Sequence, residues 1–282
     1  MDFQLYDLHC HSNASDGALA PKQLFELALE KGIHTLALTD HDTVKGYVEL
    51  IDSQGKGELS PDIKLLSGAE FTCQLDSQVL HVIGLNIDVE NDYLFEHLAN
   101  VSELRVERAE KIAEKLAKRN IVDILPLVKI KAQNAQIGRP HFASVLCDLN
   151  IVETPAQAFK KYLGAGKVAN VKVQWPELET VLDVIKQAGG ISILAHPTKY
   201  NLTMSKLRRI IEVFKLYGGQ AVEIGYPGIN KEQQSIIKYE VLKHDLLVSA
   251  GSDFHTLENK WTELGRYPDL PAEVPHVLSR CL

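Results

Sequence analysis

Apolar residues fall along this chain in short, nearly unbroken runs: IHTLALT (33–39), IKLLSGAEF (63–71), VLHVIGL (79–85), GISILAH (190–196), GQAVEIGY (219–226) and LLVSAGSD (246–253). Runs of this length without alternation predict strands buried on both faces. Helical spacing fills several of the gaps. PKQLFELALEKG (21–32) has Pro near its start, Leu24, Leu27 and Ala28 on one face, and Gly32 as its stop. VLDVIKQAGG (181–190) and KEQQSIIKYEVLKHD (231–245) repeat the pattern, each leading into an apolar run. The rhythm is βαβα, which predicts an α/β fold built on a parallel sheet or barrel.

Between residues 91 and 179 the rhythm breaks. A long helical pattern, NDYLFEHLANVSELRVERAEKIAEKLAKRN (91–120), is followed by polar and helical stretches without a strong buried strand. The expected organisation is a barrel from 1–90 and 180–282 interrupted by a helical insertion, 91–179, that contributes to substrate binding.

With 282 residues and 45% hydrophobic content, the chain has ample material for a core. Its net charge of −7 disfavours a surface that attracts polyanions as a whole, so phosphate affinity has to be local. From Pro126 to Trp175 the balance inverts, with seven bases (Lys129, Lys131, Arg139, Lys160, Lys161, Lys167, Lys172) against two acids (Asp148, Glu153), a local +5. A solvated helical face explains most of those lysines, while a basic insertion also suits a phosphorylated substrate. Four scattered cysteines without a C-x-x-C pair exclude a zinc ribbon and fit reduced thiols. There is no secretory leader pattern and no apolar run of the roughly 18 residues a membrane span needs. Together these features predict a cytoplasmic location.

The strand ends carry the chemistry. In DLHCHSNASDG, His9 and His11 share one face of a strand while Cys10 points into the packing behind them, and Asp16 returns from the turn. Asp40, His41 and Asp42 follow the run 33–39, Glu70 follows LLSGA (65–69), and His81 lies within the run 79–85. His196 ends the run 190–196, and Asp253 and His255 come at and just after the end of the run 246–253. The C-terminal strand ends of a barrel converge on one face, which brings these groups together. Burying that many unpaired ionisable groups would cost several kcal/mol per charge, whereas divalent cations would neutralise the carboxylates and engage the imidazoles. His34, His97, His244 and His276 match no such pattern and are read as bystanders.

In order along the chain, H-x-H…D-G, T-D-H, an isolated Glu, H-x-x-G, A-H-P and G-S-D-x-H resemble the motifs of the polymerase-and-histidinol-phosphatase (PHP) family. Together with GRPHFA (138–143), they look like its bacterial branch of 3′,5′-nucleotide bisphosphate phosphatases and 5′→3′ exoribonucleases. That resemblance implies a distorted (β/α)7 barrel holding three divalent ions, one on His9, His11, Glu70 and Asp253. It places a second on Glu70, His81 and His196, and a third on Asp16, His41 and His255. Nitrogen and oxygen ligands do not separate Mn²⁺, Fe²⁺ and Zn²⁺; family habit favours manganese.

Paired ions lower the pKa of a shared water and stabilise charge on phosphorus, which points to phosphoester hydrolysis. His41, His255 and Asp40 are the candidates for protonating the leaving oxygen, and Asp40 could instead orient a ligand histidine. Candidate phosphate-binding residues are Arg105, Arg108, Arg139, His141, Lys199 and Ser12, although Arg105 and Arg108 could pair with Glu103, Glu107 or Glu110. Phe142, Tyr162 and Trp175 could stack on bases or simply build the insertion's core. The expected substrates are small phosphorylated nucleotides and 5′-phosphorylated short RNA. Histidinol phosphate hydrolysis and a non-catalytic polymerase-accessory role are the alternatives.

Overall fold

The computed structural model describes residues 5–200, 202–271 and 274–281. It divides into two compact units, Met1–His97 with Pro176–Leu282, and Leu98–Trp175. In chain order the elements of the first unit are β1 (Tyr6–Cys10), α1 (Pro21–Glu30), β2 (Thr35–Leu38), α2 (Lys45–Gly55), β3 (Lys64–Leu66), β4 (Gly68–Leu75) and β5 (Gln78–Leu85). Next come α3 (Asp92–Ala117), α4 (Ile124–Ala132), α5 (Arg139–Asp148) and α6 (Pro155–Ala158), of which α3 begins in the first unit. The first unit resumes with α7 (Leu178–Gln187), β6 (Ile191–Leu194), α8 (Met204–Leu216), β7 (Ala221–Gly225), α9 (Lys231–Lys243) and β8 (Leu247–Ala250).

The strands form two sheets. β1, β2 and β3 pair in parallel, and β4 to β8 form a second sheet in sequence order. In the second sheet β5 is antiparallel to both β4 and β6, while β6, β7 and β8 are parallel. The parallel rhythm expected from the sequence therefore holds at both ends of the unit and fails in the middle. Two local features cause this. The run 63–71 is cut at Ser67, whose hydroxyl donates to Ile87 O at 2.6 Å, and Asp76 takes a left-handed φ of 55° in the tight turn between β4 and β5. Among the described residues the eight strands do not close into one hydrogen-bonded barrel; isolated bridges Cys10↔Phe254 and His41↔Glu70 link the two sheets.

One apolar cluster nevertheless draws on both sheets, with Leu8, Ala37, Leu66, Ile83, Ile193, Ala221 and Ala250 all buried together. On β2 the alternation is visible, since Ala37 joins this cluster while Leu36 and Leu38 face Leu24, Phe25, Ala28 and Leu50 of the helices. The outer helices bury one stripe each. Leu178, Val181, Leu182 and Ile185 of α7, and Leu207, Ile210, Ile211 and Phe214 of α8, follow i, i+3, i+4, i+7 spacing. Fully burying each such side chain contributes about 1.5–3 kcal/mol.

Two glycines allow the chain to close around the strand ends. A Cβ on Gly251 would lie 2.4 Å from His9 Cβ, so only glycine lets the end of β8 pass β1. A Cβ on Gly17 would lie 2.2 Å from His11 O, which explains the D-G turn.

The second unit has its own core, including Ile112, Leu116, Val128, Phe142, Leu146 and Leu163. Phe142 is fully buried there and Tyr162 packs against the same cluster, so the core reading of these two aromatics is the one observed. No helix among the described residues is long and apolar enough to cross a membrane.

Candidate metal centre

Glu70, on β4, stands at the middle of the site. Its Oε2 lies 3.4 Å from His9 Nε2, 3.3 Å from His11 Nε2 and 3.0 Å from His41 Nδ1. Its Oε1 lies 2.8 Å from His196 Nε2 and 3.0 Å from His81 Nδ1. Asp253 Oδ1 lies 3.5 Å from His9 Nε2 and 3.3 Å from His11 Nε2. Asp16 faces His255 Nε2 at 3.4 Å and His41 Nε2 at 3.8 Å. All nine residues singled out by their motifs thus meet in one place. The four bystander histidines have other surroundings: His34 N–H donates to Leu5 O at 2.8 Å, the His97 ring packs on Phe71, His244 faces Glu240, and His276 faces Tyr6.

Local geometry explains the convergence. The end of β1 is fastened by His11 N–H to Phe254 O at 2.9 Å and by Asp253 N–H to His9 O at 2.7 Å. Three corners of the site use left-handed backbone without glycine, Asp42 (φ 49°), His196 (φ 28°) and Asp253 (φ 50°). Such conformations cost about 1–3 kcal/mol each and persist only where the surroundings enforce them. Asp42 is held by Thr72, whose N–H and hydroxyl both donate to its carboxylate at 2.7 Å.

The donor set fits divalent cations. His9 Nε2, both ring nitrogens of His11, His41 Nδ1, His81 Nδ1, His196 Nδ1 and Glu70 Oε2 are buried without a hydrogen-bond partner among the described residues. Buried polar atoms are ordinarily satisfied, so this concentration at one point marks a place where another group belongs. The ligand atoms of His11, Asp16, His41 and His255 lie within 4.8 Å of one another, as do those of His9, Glu70 and His196, of His9, His11 and Asp253, and of His41, Glu70 and His81. These groupings overlap more than the three sets implied by the resemblance, because His11 reaches toward Asp16 and His41 reaches Glu70.

The electrostatics agree. Burial alone would raise the carboxyls of Glu70, Asp16 and Asp253, but the surrounding imidazoles outweigh it and hold all three well below the usual carboxylate range. Burial lowers His41 to about 3, which leaves its nitrogens free to ligate at neutral pH. His255 also feels burial, but Asp16 and Asp253 raise it to about 10. A cation at that corner competes with the imidazolium proton.

Other candidates have different surroundings from those expected. Asp40 was expected to donate a proton or to orient a ligand histidine. Its oxygens accept from Ser12 N at 2.8 Å, Ser12 Oγ at 2.7 Å and Ser15 Oγ at 2.7 Å, not from a ligand histidine, and burial raises it to about 7. Its carboxylate pins the turn between His11 and Asp16. Ser12, expected as a phosphate donor, is fully buried with its hydroxyl proton directed to Asp40. Lys199 Nζ lies 2.6 Å from Asp253 Oδ2 at the edge of the site.

In the second unit the guanidinium carbons of Arg105 and Arg108 lie 5.6 and 5.5 Å from the centre of the Trp175 ring, and that of Arg139 lies 5.6 Å from Phe159. Burial, then the charges of Arg139 and Arg105, lower Arg108 to about 9, and burial followed by the charge of Arg105 lowers Arg139. The three guanidiniums are thus gathered on aromatic faces, with mutual repulsion that adds to burial. His141 Nδ1 accepts from Gly138 N at 3.0 Å and closes the start of α5.

Sequence reasoning passed over Glu223 and Tyr200. Glu223 is fully buried on β7, the one apolar run assigned no ligand, and an acid inside such a run was the available signal. Tyr200 hydroxyl donates to Ala195 O at 2.7 Å and accepts from His81 N at 3.0 Å, tying two corners of the site together.

Comparison with known proteins yields a consistent set. The PHP domain family model matches residues 7–122. A 5′-3′ exoribonuclease of Haemophilus influenzae is 38% identical over 265 residues, 94% of each chain. A 3′,5′-nucleoside bisphosphate phosphatase of Chromobacterium violaceum is 32% identical, covering 94% of this chain and 92% of that one. Among solved structures, an amidohydrolase from Chromobacterium violaceum with bound sulfate and no metal superposes with a TM-score of 0.88 at 31% identity, covering 98% of this chain and 95% of that one.

Proposed function

Because the chain belongs to the PHP domain family, we propose that it is a metal-dependent phosphoesterase acting beside a terminal 5′-phosphate, both as a 5′→3′ exoribonuclease on short RNA and as a phosphatase of nucleoside 3′,5′-bisphosphates. The observation that carries this reading is the set of unsatisfied buried donors around Glu70. Two relatives that span nearly the whole chain, one named for each activity, support it. The two tasks are chemically one, since the group 3′ to the scissile end is a free phosphate in one substrate and an esterified phosphate in the other.

In this reading His9, His11, Glu70 and Asp253 would hold one ion, Glu70, His81 and His196 a second, and Asp16, His41 and His255 a third, with manganese the favoured metal. When bound, such ions supply Lewis acidity at phosphorus and acidify a water. The chain's own residues do the rest. Glu70 directs an oxygen to each side of the site, and Asp40 with Ser12 and Ser15 fixes the loop that aims Asp16. His41 and His255, expected to protonate the leaving oxygen, would in this reading be occupied as ligands of the third ion, which displaces the His255 proton. Arg105, Arg108 and Arg139 hold phosphate through forked N–H donors.

The two sheets are the halves of a distorted barrel in this reading. Counting β3 and β4 as one strand interrupted at Ser67 reduces the eight strands to the family's seven. Four free cysteines fit a cytoplasmic setting.

Purified protein supplied with Mn²⁺ is to be assayed on adenosine 3′,5′-bisphosphate, 5′-phosphorylated RNA and 5′-hydroxyl RNA. The first two should be hydrolysed and the third spared. Equal rates on the two RNAs would overturn the proposed end recognition, and histidinol phosphate turnover far above the bisphosphate's would overturn the substrate class.

A further inference from the structure

Resting on the metal-dependent reading above, we propose that Glu223 is a positioning residue that sets the tautomer of His9 and the strained backbone of His196 with a single carboxylate. Glu223 Oε1 lies 3.0 Å from His9 Nδ1, and Glu223 Oε2 accepts the His196 N–H at 2.7 Å. The side chain has no exposed surface, and its ion pair among the described residues is with His9 alone.

The consequence for His9 follows from what a carboxylate can do. An ionised carboxylate only accepts, so the proton of a neutral His9 stays on Nδ1. The lone pair of Nε2 is then left to face Glu70 and Asp253. Nε2 is also one of the buried atoms without a hydrogen-bond partner, as a nitrogen reserved for a cation should be. A carboxylate behind a ligating imidazole fixes its tautomer and orientation and raises its basicity.

The second oxygen acts on backbone. His196 adopts φ 28°, a region that non-glycine residues avoid. Its N–H is held by Glu223 Oε2, and the preceding carbonyl, Ala195 O, is held by the Tyr200 hydroxyl. Glu223 therefore connects β1 to the loop after β6 from a central place on β7, whose neighbours are β6 and β8.

Glutamine cannot reproduce both bonds. With its one acceptor oxygen toward His196 N–H, its NH₂ faces Nδ1 and drives the His9 proton to Nε2, where a cation is excluded. With the oxygen toward His9, the NH₂ opposes the His196 N–H. Aspartate keeps the charge but is one methylene too short to meet both partners.

The test compares wild type, Glu223→Gln and Glu223→Asp. Glu223, Glu70 and Asp253 outweigh burial and hold the His9 imidazole well above its ordinary range, so long-range ¹H–¹⁵N NMR of metal-free protein at alkaline pH reads the tautomer of neutral His9, while calorimetric titration reads Mn²⁺ affinity and circular dichroism of the metal-free forms checks folding. Wild type should show the Nδ1–H tautomer. Glu223→Gln should show a mixed or reversed tautomer and bind its tightest Mn²⁺ roughly 10- to 100-fold more weakly. Glu223→Asp should also lose affinity, and it decides the matter if the glutamine variant does not fold. Wild-type affinity and tautomer in a folded variant would overturn the inference and leave the phosphoesterase reading standing. A wild-type protein that binds no Mn²⁺ at all would overturn that reading instead.

Discussion

Lys199 Nζ lies 2.6 Å from Asp253 Oδ2, so an ammonium expected to meet substrate phosphate rests on a carboxylate of the candidate metal centre. That pairing makes a two-sided prediction. In Lys199→Met, Asp253 loses a neutralising charge, so Mn²⁺ affinity should hold or rise. The KM for adenosine 3′,5′-bisphosphate should rise roughly tenfold if the ammonium turns to phosphate when substrate arrives. Calorimetry and steady-state kinetics on the same preparation separate the two effects; weakened metal binding would assign Lys199 a purely supporting role.

The guanidinium cluster of the second unit gives a different signature. Arg108 Nε is buried without a partner among the described residues. Removing the side chain as Arg108→Ala should forfeit a charge-assisted bond of about 1.5–3 kcal/mol, raising KM for bisphosphate roughly 10- to 150-fold. Hydrolysis of bis(p-nitrophenyl) phosphate, which lacks a second phosphate, should change little. Equal losses on both substrates would show that Arg108 supports the fold.

Phe142 tests the independence of the second unit's core. It is fully buried among apolar side chains, so Phe142→Ala should destabilise that unit by about 3–5 kcal/mol. Urea unfolding followed by circular dichroism should shift to lower denaturant, while Mn²⁺ binding by the first unit persists in the absence of urea.

His276 predicts a pH effect away from the centre. Its Nδ1 accepts Leu278 N–H at 3.1 Å and its Nε2 meets Tyr6 hydroxyl at 3.0 Å, an arrangement that fits neutral imidazole with its proton on Nε2. Burial lowers its pKa to about 4. Between the unfolded value of roughly 6.5 and the folded one, the unfolded chain binds the proton and the folded chain does not. Stability from this group is therefore complete above pH ~6.5, falls as pH drops toward about 4, and loses at most about 3 kcal/mol. Melting curves of metal-free wild type and His276→Gln across pH 4 to 7 should converge at the acid end; parallel curves would contradict the assignment.

Much of this site was legible in the sequence because strand geometry is simple. Period two puts His9 and His11 on one face, and strand ends converge, which was enough to collect Glu70, His81, His196 and Asp253 before any coordinates. Tertiary bonds were not legible. Nothing local marks Asp40 as the acceptor for Ser12 and Ser15, because the partners are 28 and 25 residues away. Glu223 was hidden by its own strand, whose apolar neighbours gave a pattern of burial and no hint that the acid bonds to His9, 214 residues distant. The hairpin between β4 and β5 was obscured for a third reason. Its turn residue Asp76 interrupts a run without the glycine that usually announces such a bend, so the strands were read as members of a parallel series.

Elemental analysis after equilibrium dialysis against Mn²⁺ tests the central claim most directly. Wild type should retain about three ions per chain, and Glu70→Gln, which removes the charge at the middle of the site, should retain fewer and lose at least about 100-fold in kcat/KM. Retention by wild type no greater than by a metal-free control protein, or undiminished retention and activity in Glu70→Gln, would contradict it.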